Sequence, residues 1–315
     1  MHFIALIQSS NIHFHRSVDN DFEIHEDFIG LHECEKTTGN YLVAVIKNIL
    51  TSCNFDFSKI RGQCYDKGSA MSGKKVGVKT QILSEEPRAL YIHCFNHALN
   101  LAVCDTLKKI PILKDGLSFS NELLILIKKS PKRETKLKNI KQSAFDNSPG
   151  IRNFSYTRWT VKGDSLDSII SNYLPLLEVL EESYYEESQT DMKSRINGVR
   201  FQMKSFDYFY GISLAKKILI LTDNLAKKLQ KKDISASEGK QLYKNTVLTL
   251  EAIKSDDFEQ FWNDTLKKSQ NFDIKQPELK RIKKNPAKFI DSDEEDDTQG
   301  QRKYNLSRST YRFTL

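Results

Sequence analysis

Arg61-Gly62-Gln63-Cys64-Tyr65-Asp66-Lys67-Gly68-Ser69-Ala70-Met71-Ser72-Gly73, then Gly77-Val78-Lys79-Thr80-Gln81-Ile82, then Tyr91-Ile92-His93-Cys94-Phe95-Asn96-His97-Ala98-Leu99-Asn100-Leu101, is the stretch that decides the fold. Ile60 to Tyr65 reads as a short strand that ends at Asp66 and opens a Gly/Ser-rich loop. Val76 to Leu83 reads as a short helix, and Leu90 to Cys94 as a buried strand running into a His-Cys-x-x-His cluster. A carboxylate at the carboxyl end of a strand in a strand–helix–strand unit is where α/β folds place metal or substrate chemistry. One carboxylate does not make a two-metal site, so the reading turns on whether Asp66 has partners.

Upstream, Asp27 to His32 reads as a strand, Thr37-Thr38-Gly39 as a turn, and Tyr41 to Cys53 as a helix with Leu42, Val45, Ile46, Ile49 and Leu50 on one face. Phe95 to Leu107 supplies a further helix, and the alternation argues for an α/β layer. Residues 1–20 have no clear frame, although Ile12-His13-Phe14-His15 is able to pair as a strand. After Pro111 only helices are expected, at 121–129, 133–142, 166–186, 191–204, 206–230, 235–254 and 256–269. Pro175 is expected to kink the third of these, Ser235-Ala-Ser-Glu238 is a capping box, and Ser255 caps the last. Beyond Lys275 a basic block, Lys280 to Lys284, and an acidic run, Asp291 to Asp297, mark a solvated tail. The expected organisation is therefore an ill-defined segment 1–20, an α/β core 21–115, a helical domain 116–275 and a charged tail 276–315.

The 315 residues carry a net charge of +7, a mild basic bias compatible with nucleic acid. Five cysteines in no framework spacing argue for reduced thiols and an intracellular setting. No apolar run is long enough to span a bilayer, and no membrane partner is expected.

Tyr65-Asp66, Met71-Ser72-Gly73, Gly77-Val78-Lys79, His93-Cys94-x-x-His97-x-Leu99-Asn100-Leu101 and Thr157-Arg158-Trp159 together resemble the catalytic region of hAT-family DNA transposases. The similarity is to the branch found in zinc-finger MYM-type protein 1-like proteins, and it covers about residues 24–290. The resemblance implies an RNase H-like mixed sheet with flanking helices, interrupted by a large helical insertion. The expected fold is thus α/β plus all-α, with a partial core. It also implies that Asp66 matches the second acid of an Asp-Asp-Glu triad that binds divalent metal ions for strand cleavage and transfer. His93, Cys94 and His97 match a core motif near that site, and Arg158 and Trp159 match a segment close to transposon-end DNA.

The chain departs from this pattern. The family's first Asp belongs to a strand that would lie before or within residues 1–20, where no acid stands in a strand context; Asp19 and Asp21 sit in a turn-like polar cluster. The family's Glu and dimerisation segment lie past the insertion and are not identifiable before Leu315, so the chain reads as truncated at both ends. Lys67, Gly68 and Ala70 stand where the family usually has Gly, Ala and Asn. Asp66 is then either a metal ligand or a relic that caps the following turn, and without partners the second reading carries more weight. His93, Cys94 and His97 offer zinc-type donors but no second ligand pair. Arg158 and Trp159 suit phosphate contact and base stacking, or equally an Arg–aromatic packing pair. Lys216, Lys217, Lys227, Lys228, Lys231 and Lys232 form either a solvated face or a phosphate-binding stripe.

The expected function is that of a catalytically inactive, transposase-derived module, nuclear rather than cytoplasmic, with DNA or protein partners and no cofactor. Mg2+ or Mn2+ enters only with residual ancestral activity. The alternatives are a metal-dependent transposase or nuclease in a longer form, and a non-functional mobile-element remnant. Loss of the first strand is expected to leave unpaired edges that must pair with one another or with residues 1–20.

Overall fold

The computed structural model describes residues 4–9, 12–66, 68–145, 148–154, 162–231, 233–275 and 277. Arg158, Trp159, Lys67, Lys232 and the charged tail from 278 onward lie outside these described residues.

Residues 4–9 and 12–18 settle the question of the unpaired edges. Strand β1 (Ile4–Ser9) pairs antiparallel with β2 (Ile12–Val18), which pairs antiparallel with β3 (Ile24–Leu31). On its other side β1 runs parallel to β4 (Ile60–Tyr65), and β4 runs parallel to β5 (Leu90–His93). The order β3-β2-β1-β4-β5 places β1 at the centre. The three antiparallel strands need only short turns between them. The parallel pairs need crossovers, supplied by α1 (Gly39–Ser52) between β3 and β4, and by α2 (Ser69–Ser72) and α3 (Val78–Glu85) between β4 and β5.

These helices cover one side of the sheet. Leu42, Val43, Ile46 and Leu50 from α1 pack with Ile60 and Tyr65 from β4 and with Val78 and Ile82 from α3. The opposite side is open: Leu90 is 65% and Ile92 53% exposed. The expectation of a buried β5 is therefore corrected, because only one of its faces has a covering layer. The loop between α2 and α3 is tight for a definite reason. A Cβ on Gly77 would stand 2.4 Å from the backbone nitrogen of Gly73, and one on Gly39 would stand 2.0 Å from the carbonyl oxygen of Val76. The glycines of the Thr-Thr-Gly turn and of the Met-Ser-Gly…Gly-Val loop are thus required by backbone crowding.

The chain divides into two compact units: 1–102 with 228–239, and 103–227 with 240–315. The division falls within α4 (Phe95–Lys109). The second unit is helical among the described residues, built from α5 (Pro111–Lys128), α6 (Pro131–Ser143), α7 (Lys162–Ser171), α8 (Tyr173–Glu186), α9 (Thr190–Met203), most of α10 (Phe206–Leu229) and of α11 (Ala236–Lys254), and α12 (Phe258–Asn271). Its core is aromatic: Tyr173 stacks on Phe272 at 4.9 Å, and Phe206 meets Trp262 edge-on at 5.4 Å. The Tyr173 hydroxyl donates to the Met203 carbonyl at 2.6 Å.

Three local expectations change. The helix expected over 166–186 is broken at buried Asn172, whose side-chain amide donates to the carbonyls of Pro149 and Ser168. Pro175 then falls in the first turn of α8, where a missing N–H costs nothing, rather than at a kink. Asp257, not Ser255, stands at the N-cap of α12, without a side-chain cap bond. The capping box holds: Ser235 N–H donates to Glu238 Oε2 at 2.9 Å, and Glu238 N–H to Ser235 Oγ at 3.2 Å.

Gly39→Ala should destabilise the protein by about 1–3 kcal/mol in urea melts, because a backbone carbonyl occupies the space its methyl needs. Gly198→Ala, on an exposed face of α9 with no atom within 4 Å of the new Cβ, should stabilise by about 0.5–1 kcal/mol. Equal effects of the two substitutions would overturn the crowding argument.

Candidate functional site

Parallel pairing brings the carboxyl ends of β1, β4 and β5 to one end of the sheet. Asp66 follows β4 there and is exposed. Its Oδ1 accepts the Gly68 N–H at 3.0 Å, a local turn of the kind short acidic side chains form. The register Tyr65↔His93 places His93 beside it, and Cys94 N–H donates to the Tyr65 carbonyl at 3.1 Å. Cys94 accepts the Ala98 N–H on its own carbonyl at 3.0 Å and so stands at the entry of α4. The His93 and His97 rings meet edge-on, 5.8 Å apart. Asp66, His93, Cys94 and His97 are thus gathered at one strand end, while Arg158 and Trp159 lie outside the described residues.

A two-metal centre needs several carboxylates converging on this point. The neighbour of β4 on its inner side is β1, with Ile7 opposite Cys64, so Gln8 and Ser9 come next, toward the level of Asp66. The sequence of β1, Ile-Ala-Leu-Ile-Gln-Ser, contains no acid. Asp19 and Asp21 cannot substitute. Because β2 runs antiparallel to β1, with Ser9 opposite Ile12 and Ala5 opposite Arg16, the turn after Val18 lies at the other end of the sheet. There Asp19 is committed to a different task. It accepts the N–H groups of Asp21 and Glu23 and bonds His25 Nε2 at 2.9 Å, which holds its carboxyl below the usual range. Among the described residues no group of three His, Cys, Asp or Glu side chains is arranged to hold a metal ion. Among the described residues, those at this strand end do not supply the converging carboxylates that a divalent-metal pair needs.

Several neighbours of Asp66 escape the sequence reading. Tyr91 reaches across from β5, its hydroxyl 3.4 Å from the Asp66 carbonyl, with Lys79 Nζ 5.0 Å from the centre of its ring. Tyr65 is buried beneath, and burial pushes its phenol well above the usual range. Cys64, which reads as a scattered thiol, is paired with Ile92 and so shares a sheet face with Cys94. The neighbouring Cys64 thiol, then the backbone N–H groups of His97 and Asn96 and the His97 ring, lower the Cys94 thiol to about 5 against the opposing effect of burial. The Cys94 neighbour and burial push the Cys64 thiol up. The signal that could have found the pair is the strand register, which spacing alone does not contain.

The lysines expected to recur on one face of α10 divide in role. Lys216 pairs with Asp167, and Lys217 lies over the Phe261 ring at 5.3 Å beside a groove of about 340 Å³. Lys227, Lys228 and Lys231 are exposed.

The sheet order, the direction of its strands and the helices on one face define an RNase-like α/β domain joined to a helical region. Residues 12–77, from β2 to the loop before α3, match the family model described as "ZMYM1/FAM200, RNase-like domain". The match includes Asp66 and stops short of the His-Cys-x-x-His cluster. No helix among the described residues is long and apolar enough to cross a membrane.

Iodoacetamide at about pH 7 should alkylate Cys94 at least ~10-fold faster than exposed Cys53 in the folded protein, read by peptide mass spectrometry. The preference should vanish in urea, where α4 and the β4–β5 ladder that hold Cys94 at the helix entry are lost.

Proposed function

We propose that this chain is a transposase-derived, RNase-like module that has lost strand-transfer chemistry and serves in the nucleus as a nucleic-acid interaction module, with protein partners as its other outlet. The match of residues 12–77 to an RNase-like domain of the ZMYM1/FAM200 type fits a transposase-derived protein. The observation that carries the loss of chemistry is the composition of β1: the strand next to Asp66 offers no second carboxylate, so two metal ions have no common bridge. Nucleic-acid binding is supported by the net charge of +7 and by exposed Lys227, Lys228 and Lys231. The basic block Lys280–Lys284 suits a nuclear import signal, and Arg158 and Trp159 suit contacts to phosphate and base.

A second reading, a metal-dependent transposase or nuclease in a longer form of the protein, is favoured by one observation. Asp66 keeps an exposed carboxylate at the strand end beside His93, as a metal ligand would.

One experiment separates the two. The purified chain is mixed with labelled terminal-repeat DNA, with and without Mg2+ or Mn2+, over a salt series. The module reading expects binding that weakens by about 0.9 logarithmic units per phosphate contact for each tenfold rise in salt, no cleavage, and the same behaviour for Asp66→Ala. Metal-dependent cleavage that Asp66→Ala abolishes would overturn it. A folded protein with no affinity for DNA at low salt would remove the nucleic-acid role.

A further inference from the structure

The groove beside Lys217 plays no part in the RNase-like reading, and its lining residues all belong to the second unit. Ile170 of α7, Ile220 and Leu221 of α10 and Phe261 of α12 give a space of about 340 Å³ an apolar lining. Lysines meet there from two helices, Lys216 and Lys217 from α10 and Lys268 from α12. Lys216 is already paired with Asp167. Lys217 lies over the Phe261 ring at 5.3 Å, and neither it nor Lys268 forms an ion pair among the described residues. Against these two charges stands one lining carboxylate, Asp264, one turn before Lys268. The groove thus joins apolar surface to an excess of positive charge. An occupant that is apolar at one end and acidic at the other satisfies both.

The chain itself carries such a sequence, outside the described residues. Phe289-Ile290 is followed by Asp291-Ser292-Asp293-Glu294-Glu295-Asp296-Asp297, six acids in seven residues. The chain between is long enough. Thr265, in the groove, is about 9 Å of helix from Asn271, the end of α12. Six further residues to Pro277 add at most about 20 Å, and the twelve from Pro277 to Phe289 can span about 40 Å. We propose that residues 289–297 occupy this groove of their own chain, with Phe289 and Ile290 against Leu221 and Phe261 and the acids on Lys217 and Lys268. A tether of this length gives an effective concentration on the order of millimolar, which favours the chain's own segment over a second copy or a free acidic peptide. The contact removes apolar surface from water and neutralises two lysines, so a polyanion must displace it to reach them. It stands apart from the nucleic-acid reading, because it is read without DNA.

The test joins lysines to carboxylates in the whole chain with a water-soluble carbodiimide, which leaves no spacer, and maps the links by peptide mass spectrometry. A mixture of light and nitrogen-15-labelled chains at low concentration separates links within one copy from links between two. The expected result is a set of links within one copy from Asp291–Asp297 to Lys217 or Lys268, more frequent than links to Lys227, which is exposed on the same helix. The preference should fade in 1 M sodium chloride, where the Debye length falls to about 3 Å. Phe289→Ala combined with Ile290→Ala should lower the yield of these links at least ~5-fold, since the apolar anchor is lost. Both substitutions lie outside α1–α12, so the folded helices keep their sequence. Links to Lys217 and Lys268 no more frequent than to Lys227, an unchanged yield in the double variant, or links that mostly join different copies overturn the proposal.

Discussion

The pairing of β1 with β4 is the contact on which the first unit depends. Ile7 opposite Cys64 joins the antiparallel half of the sheet to the parallel half, so that β2 and β3 hang from one side of β1 and β4 and β5 from the other. A parallel pair cannot be closed by a turn, and α1 is consequently drawn across the sheet to bury Leu42, Val43, Ile46 and Leu50. The same register aligns the carboxyl ends of β1, β4 and β5, where Asp66 stands. Position and chemistry are therefore decided by one strand, and they part company there: β1 supplies the backbone that the fold requires and none of the charge that metal ions require.

Much of this was legible from residue type. β4 reads correctly because Ile60 to Tyr65 is bounded by a polar segment before and by Asp66 after, and α1 because its apolar residues recur at helical spacing. β1 was not legible. A run such as Ile-Ala-Leu-Ile has no alternation, and its identity as a strand comes from partners more than fifty residues away, Ile60 to Cys64. The burial of β5 was misread for a related reason, since an apolar strand does not reveal which of its faces will be covered. Asn172 could not be read as a helix break, because its side-chain amide is held partly by a distant acceptor, the carbonyl of Pro149, as well as by that of Ser168 in α7. At the site, Asp66 was visible by its place after a strand, whereas the placement of Cys64 and Cys94 on one sheet face follows only once the register is known.

The helical unit follows a different rule. Tyr173, Phe209, Tyr210, Phe258 and Trp262 are buried to within 1% of full, so these aromatic residues are core and not platforms for bases, whereas Tyr185 and Phe201 are exposed. Charge on the same helices is partly consumed internally: Lys136 is shared by Glu182 and Glu186, and Arg200 bonds Glu181 at 2.6 Å. Lysine-rich segments thus overstate the cationic surface that is free to meet a polyanion.

The crowded glycines carry a lesson about inheritance. Gly39, Gly73 and Gly77 stand where backbone meets backbone, and none of them touches a reacting group by virtue of its side chain. Selection for a foldable chain holds such positions whether or not metal ions ever bind nearby, while an acid that only serves chemistry is free to drift once the chemistry is gone. The glycines of this loop therefore report on shape, and only carboxylates report on metal chemistry.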